Sequence, residues 1–128
     1  MAISDFIETI NAKIRSDWTL SRVAWPNEKM DPDLETFIKP VVKTSTAQRE
    51  NMGAERTALI RGILYCNVCV LQGTGQVDAL ALADEFLSLF SDQTLENIEF
   101  EPGTASETGV DANQYFVVTA KIPFLARV

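Results

Sequence analysis

The sequence has no histidine among its 128 residues. That removes the side chain whose ordinary pKa lies nearest neutrality and the usual partner of a Cys or Ser nucleophile. Cysteine is almost as scarce. Cys66 and Cys69 form a single C-x-x-C with no second pair to complete a zinc site. They fall in an alternating, strand-like run, where a separation of three puts side chains on opposite faces. They are therefore expected to be buried thiols that neither share a metal nor pair. No stretch approaches the roughly 18–20 consecutive apolar residues of a membrane span. No basic segment leads into an apolar one as in a secretory signal, and the chain starts at Met1. Intracellular synthesis is expected. Positive charge is missing from one half. Residues 65–128 hold only Lys121 and Arg127 against nine acids, whereas residues 1–64 balance nine with nine, for a net charge of −7. Such a chain is a poor prospect for wrapping nucleic acid, and only its first half can offer a basic patch.

What is present reads as one domain, residues 1–128, with an ordinary hydrophobic share of 46%. It is organised around Arg56–Phe90: a long strand, a Gly73-Thr74-Gly75 turn and an apolar helix. Leu64, Cys66, Val68 and Val70 alternate as a core face. Ile63, Tyr65, Cys69 and Leu71 make the other face apolar too, with only Asn67 polar. A strand apolar on both sides is either covered twice within a monomer or buried by a partner. The Gly-Thr-Gly turn lacks the third glycine of a dinucleotide fingerprint and the Lys-Ser/Thr of a P-loop, so it is expected to be a turn and cap. From about Gln76 to Phe90, Ala79, Leu82, Ala83, Phe86, Leu89 and Phe90 share one helical face, widened by Val77, Leu80 and Leu87. Leu82→Asp or Phe86→Asp is expected to unfold the protein.

Upstream, Ile3, Phe6, Ile7, Ile10 and Ile14 form the stripe of an amphipathic helix ending near Ser16, with Ser4 as its N-cap and Trp18 and Leu20 over the sheet. Val23–Trp25 is a short strand stopped by Pro26, and Trp25 is either a core lid or a peptide platform. Residues 27–33 connect. Leu34–Thr44 is a strand that Pro40 restricts to an edge or bulge. Thr44–Glu55 is the tip of a long hairpin carrying Lys39, Lys43, Arg49, Arg56 and Arg61, with no interleaved aromatic to stack bases. After the second helix the chain turns at 91–97, and Leu95, Ile98 and Phe100 mark a short strand. Residues 102–113 read as a second long loop. The last strand, about Gln114–Ala126, points Phe116, Val118, Ala120, Ile122 and Phe124 inward. Its Pro123 marks an edge, a bulge or a strand end. The expected fold is α+β, in the order α-β-β-α-β-β: one antiparallel sheet of about four main strands in two long hairpins, with both helices packed on it.

Nothing in this pattern builds a catalytic, metal or cofactor site. Asp84-Glu85 point to different sides of a helix. Glu99 and Glu101 share a strand face about 7 Å apart, where a solvated surface is the ordinary outcome. No catalytic residue, metal ligand or cofactor is assigned, and the chain is not expected to be an enzyme.

Several motifs, taken in succession, carry a resemblance. They are Val23-Ala24-Trp25-Pro26-Asn27-Glu28, Arg61-Gly62-Ile63-Leu64-Tyr65-Cys66-Asn67-Val68, Gly73-Thr74-Gly75 with Ala81-Leu82-Ala83-Asp84 and Phe90, and Gln114-Tyr115-Phe116 through Ile122-Pro123-Phe124. The chain resembles, over nearly its whole length, the tail terminator or tail completion proteins of long-tailed bacteriophages and prophages, of which the lambda tail terminator is the reference member. Each motif is short and apolar, so the specificity lies in their order. The resemblance implies a virion assembly protein without catalysis or cofactor. It implies a homo-oligomeric ring, typically of six subunits, on the head-proximal end of the tail tube. That ring ends tube polymerisation and joins the head. The implied partners are further copies of the chain, the tail-tube protein and the head-neck protein. DNA only passes through the ring, which an acidic bore would suit, and no membrane is involved. The implied location is the host bacterial cytoplasm during assembly and then the tail–head junction of the virion.

This implication meets the residue pattern at the second apolar face of the central strand. Ile63, Tyr65, Cys69, Val117 and Thr119 are the expected subunit interface. Gln48, Arg49, Asn51, Met52, Thr108 and Val110, in the two long loops, are the expected contacts with tube or neck. Tyr65→Arg and Cys69→Arg are expected to leave a folded monomer. Two alternatives stand beside it: a nucleic-acid-binding module using the basic hairpin 39–61, and a small-molecule-binding domain.

Overall fold

The computed structural model of the chain describes residues 3–25, 36–49, 58–71, 76–110 and 115–127. Among these residues two helices, α1 (Ile3–Asp17) and α2 (Gln76–Phe90), accompany seven strands. The strands are β1 (Arg22–Val23), β2 (Phe37–Arg49), β3 (Ala58–Leu71), β4 (Thr94–Leu95), β5 (Ile98–Phe100), β6 (Thr104–Val110) and β7 (Tyr115–Arg127). They form one sheet in the order β1-β2-β3-β7-β5-β4, with β6 also paired to β7. The β1–β2 pairing is parallel and the others are antiparallel. The class is therefore α+β.

Alternation decides which side of the sheet the helices take. Leu64, Cys66 and Val68 of β3 stand opposite Ile122, Ala120 and Val118 of β7, and all six are buried. Phe6, Ile10 and Ile14 of α1 and Ala79, Ala83, Phe86 and Phe90 of α2 join them in one cluster. Both helices thus lie on the same face of the sheet. Edge-to-face and tilted contacts run through this core from Trp18 to Phe86, Phe90 and Phe100. Gly62, mid-strand in β3, lies under the ring of Phe124.

The two strand prolines sit where their missing N–H groups cost no ladder bond. Beyond Ile38 the outer edge of β2 has no strand partner among the described residues, and Pro40 falls on that edge. Pro123 lies inside the sheet rather than at an edge. Its carbonyl accepts from Glu101 N at 2.8 Å, in the irregular gap between β5 and β6. Its other side stays in continuous register with Ile63 of β3, so Pro123 is none of the expected edge, bulge or strand end but lies opposite the break between two strands.

The sheet has more strands than the expected four, and their order is more complex. β5 and β6 lie end to end along one side of β7, opposite Phe124–Ala126 and Phe116–Lys121. Residues 104–110, expected to be loop, are strand β6. Most of β6 is exposed on both faces, so backbone pairing holds it and its sequence carries no alternation to read. β2 continues past Thr44 to Arg49 through an irregularity at Thr44/Thr46. α1 begins at Ile3, so Ser4 lies inside the first turn rather than capping it. Trp18 is buried against Phe86, but Leu20 is 56% exposed rather than laid over the sheet. Trp25 is the core lid of its two alternatives. It packs on the main cluster, with the Arg15 guanidinium 4.6 Å above its ring. The Gly73-Thr74-Gly75 turn, the 27–33 connection and the hairpin tip at 50–55 lie outside the described residues.

Candidate interaction surface

Because both helices take one side of the sheet, the odd-numbered side chains of β3 and β7 face away from them. Three zones follow along this outer face. At one end Cys69, Tyr115 and Val117 are buried, packed with half-buried Phe37 and Leu71. The Phe37 and Tyr115 rings meet edge-on at 5.1 Å. This second cluster is built from strands alone.

The middle zone is polar. Thr119 Oγ1 donates to Asn67 Oδ1 at 2.8 Å and lies 2.7 Å from Thr108 Oγ1. A hydroxyl has one proton to give. With that of Thr119 spent on Asn67, Thr108 is the donor to Thr119. The bonds tie β3, β7 and β6 together across the sheet. Thr119→Val removes both, and a net loss of about 1–2 kcal/mol is expected, read as a lower urea midpoint at unchanged slope.

The third zone centres on Tyr65. Its half-buried ring lies between Lys43 Nζ at 5.5 Å and Lys121 Nζ at 5.8 Å, within cation–π range. Half-buried Val41, Ile63, Pro123 and Leu125 surround it. Lys39, Lys43, Arg61 and Lys121 are exposed on this face. Arg127 at its edge pairs with Glu99 at 3.2 Å. A chain of net charge −7 therefore presents a locally basic sheet face.

The structure brings Ile63, Tyr65, Cys69, Val117 and Thr119 onto this one face, but not as equals. Cys69 is 3% and Val117 7% exposed, so neighbouring strands already cover them and little is left for a partner. Thr119 is engaged in the polar ladder. Ile63 and Tyr65 keep the accessible apolar surface. Cys69→Arg is accordingly a folding lesion rather than a clean interface probe. Thr108 belongs to the ladder and Val110 is 54% exposed, both on β6 rather than on a loop. Gln48 and Arg49 end β2, and Asn51 and Met52 lie outside the described residues.

The cysteines occupy opposite faces, Cys66 in the main core and Cys69 in the outer cluster, and neither is in a disulfide. Burial pushes the Cys66 thiol well above its ordinary pKa, with Cys69 adding a smaller push in the same direction. Neither should react with iodoacetamide in the native protein, and both should react in denaturant, as counted by mass spectrometry. Among the described residues no three His, Cys, Asp or Glu side chains converge on a metal position. No helix there is long and apolar enough to cross a membrane.

A second surface lies on the helical side. Leu20, Asp78, Ala81, Leu82 and Glu85 line a shallow groove of about 390 Å³. Nearby on α2, Val77 is 77% exposed. Helical periodicity places Leu82 in the buried stripe. In the structure it is half-buried and opens to this groove. The one signal in the sequence was the width of the stripe, more apolar positions than one helical face can bury.

No family model matches the sequence, and no curated protein matches it. A solved structure is similar with a TM-score of 0.64 and 19% identity, covering 95% of this chain and 96% of that one. At that identity the likeness shows the fold alone.

Proposed function

We propose that the chain is a structural assembly protein. In this reading it forms a ring on the head-proximal end of a phage tail tube, ends tube growth and joins the head. One observation supports the reading most: the sheet's outer face carries Tyr65, Ile63, Val41, Pro123 and Leu125, and both helices lie on its other side. Apolar residues around an aromatic anchor, with a charged rim, are the usual anatomy of a protein interface. The motif order of the resemblance supplies the biological setting. The test is to add the purified chain to polymerising tail-tube protein and measure tube lengths by electron microscopy. Substoichiometric chain should halt growth and decorate one tube end. Tubes of unchanged length with bare ends would refute the tube-capping role.

The lysines framing Tyr65 favour a second reading, an acidic partner such as DNA on the same face. It requires binding that weakens steeply with salt and is lost in Lys43→Glu/Lys121→Glu.

A further inference from the structure

A closed ring of more than two subunits needs two different, complementary patches on each copy, because one patch meeting itself closes at a dimer. The sheet face around Tyr65 is one patch. Among the described residues the rest of the surface offers few candidates for the other. The open edge of β2 is blunted by Lys39, Pro40 and Lys43, and that of β6 by a bulge at Glu107/Gly109, both common devices against edge pairing. The groove beside α2 carries no such device. Its floor is apolar, and its rim has the charge opposite to that of the sheet face.

We infer that the Tyr65-centred sheet face of one copy docks on the groove of a second copy, with Lys43 and Lys121 against Asp78 and Glu85. This rests on the ring reading and names the contacting surfaces. The spacings agree. Asp78 and Glu85 are seven residues apart on a helix, about 10 Å along its axis. Lys43 and Lys121 stand on the two strands flanking β3, opposite Ile63 and Tyr65, which puts them about 12 Å apart, a comparable reach, with the Tyr65 ring between them. Leu82 and Ala81 lie between the two acids as Tyr65 lies between the two lysines. The patches belong to opposite layers of the fold, so they cannot satisfy each other within one molecule. Each copy offers both, and contact runs head to tail.

The test uses the full chain by sedimentation velocity, with circular dichroism to show that each variant is folded. One variant is Lys43→Glu/Lys121→Glu and the other is Asp78→Lys/Glu85→Lys, all four being exposed positions. Each reversal alone sets like charges against each other and should raise the half-assembly concentration by about tenfold or more. An equimolar mixture restores opposite charges at every contact, with the two variants alternating. The chain carrying all four changes does the same alone. Both should therefore regain wild-type assembly. If the groove reversal assembles as wild type does, the docking is wrong while the ring reading stands. Open filaments that lengthen with concentration would support the docking and overturn the ring. A wild-type chain monomeric at every concentration overturns the docking.

Discussion

Phe86→Asp yields no folded protein. Phe86 is fully buried in the middle of α2, with Trp18 at 5.9 Å and Phe90 at 5.4 Å. Removing a buried phenylalanine costs about 3–5 kcal/mol through lost transfer energy and the cavity left behind. The carboxylate that replaces it finds no partner, since no polar or charged residue is buried among those described. The sum exceeds what a domain with a stability of roughly 5–15 kcal/mol can spare once the charge is left unpaired. The expected result is loss of near-ultraviolet circular dichroism and of any cooperative melting transition. Leu82→Asp, on the same helix, is the control. Leu82 opens to the groove, so this variant stays folded with a lower melting temperature. The structure thus separates two substitutions that helical periodicity treats alike.

Gly62→Ala destabilises the protein although it adds one methyl group. An added Cβ would lie 2.5 Å from Phe124 Cζ and 2.5 Å from the Lys43 carbonyl oxygen. Phe124 cannot swing away, because it is 2% exposed and sits against Phe6 at 5.8 Å and Phe100 at 6.0 Å. The carbonyl is backbone, in β2 just before its irregularity at Thr44/Thr46. A loss of about 1–3 kcal/mol is expected from such overpacking. In a double-mutant cycle, Phe124→Leu should recover only part of it, because the clash with the carbonyl remains. A Gly62→Ala variant as stable as wild type would mean that β2 and β3 are not registered as described.

Much of the architecture was legible because burial alternates cleanly where it decides the fold. The even positions of β3 and β7 and the apolar stripe of α2 each announce a core face. β6 was not legible, because its side chains are exposed on both faces and its strand character comes from its neighbour. The depth of Cys69 and Val117 was hidden for a related reason. Their cover is a cluster assembled from Phe37 of β2, Leu71 of β3 and Tyr115 of β7, and the sequence does not show that cross-strand encounter. The grouping of Ile63, Tyr65 and Thr119 on one face was readable from strand period alone. The lysine frame around Tyr65 was not, since it needs the register that brings Lys43 of β2 and Lys121 of β7 to the same ring. The groove was missed because helical periodicity counts Leu82 with the core and does not show where the chain after α1 leaves Leu20.

The central claim is that the outer sheet face joins copies of this chain. Sedimentation velocity of the wild type and of Tyr65→Arg, over a wide concentration range, tests it most directly. The expected wild-type result is a discrete species near six times 14.2 kDa that stops growing with concentration. Tyr65→Arg should sediment as a folded monomer. A wild-type chain that stays monomeric throughout, or a Tyr65→Arg variant that assembles as wild type does, would contradict the claim.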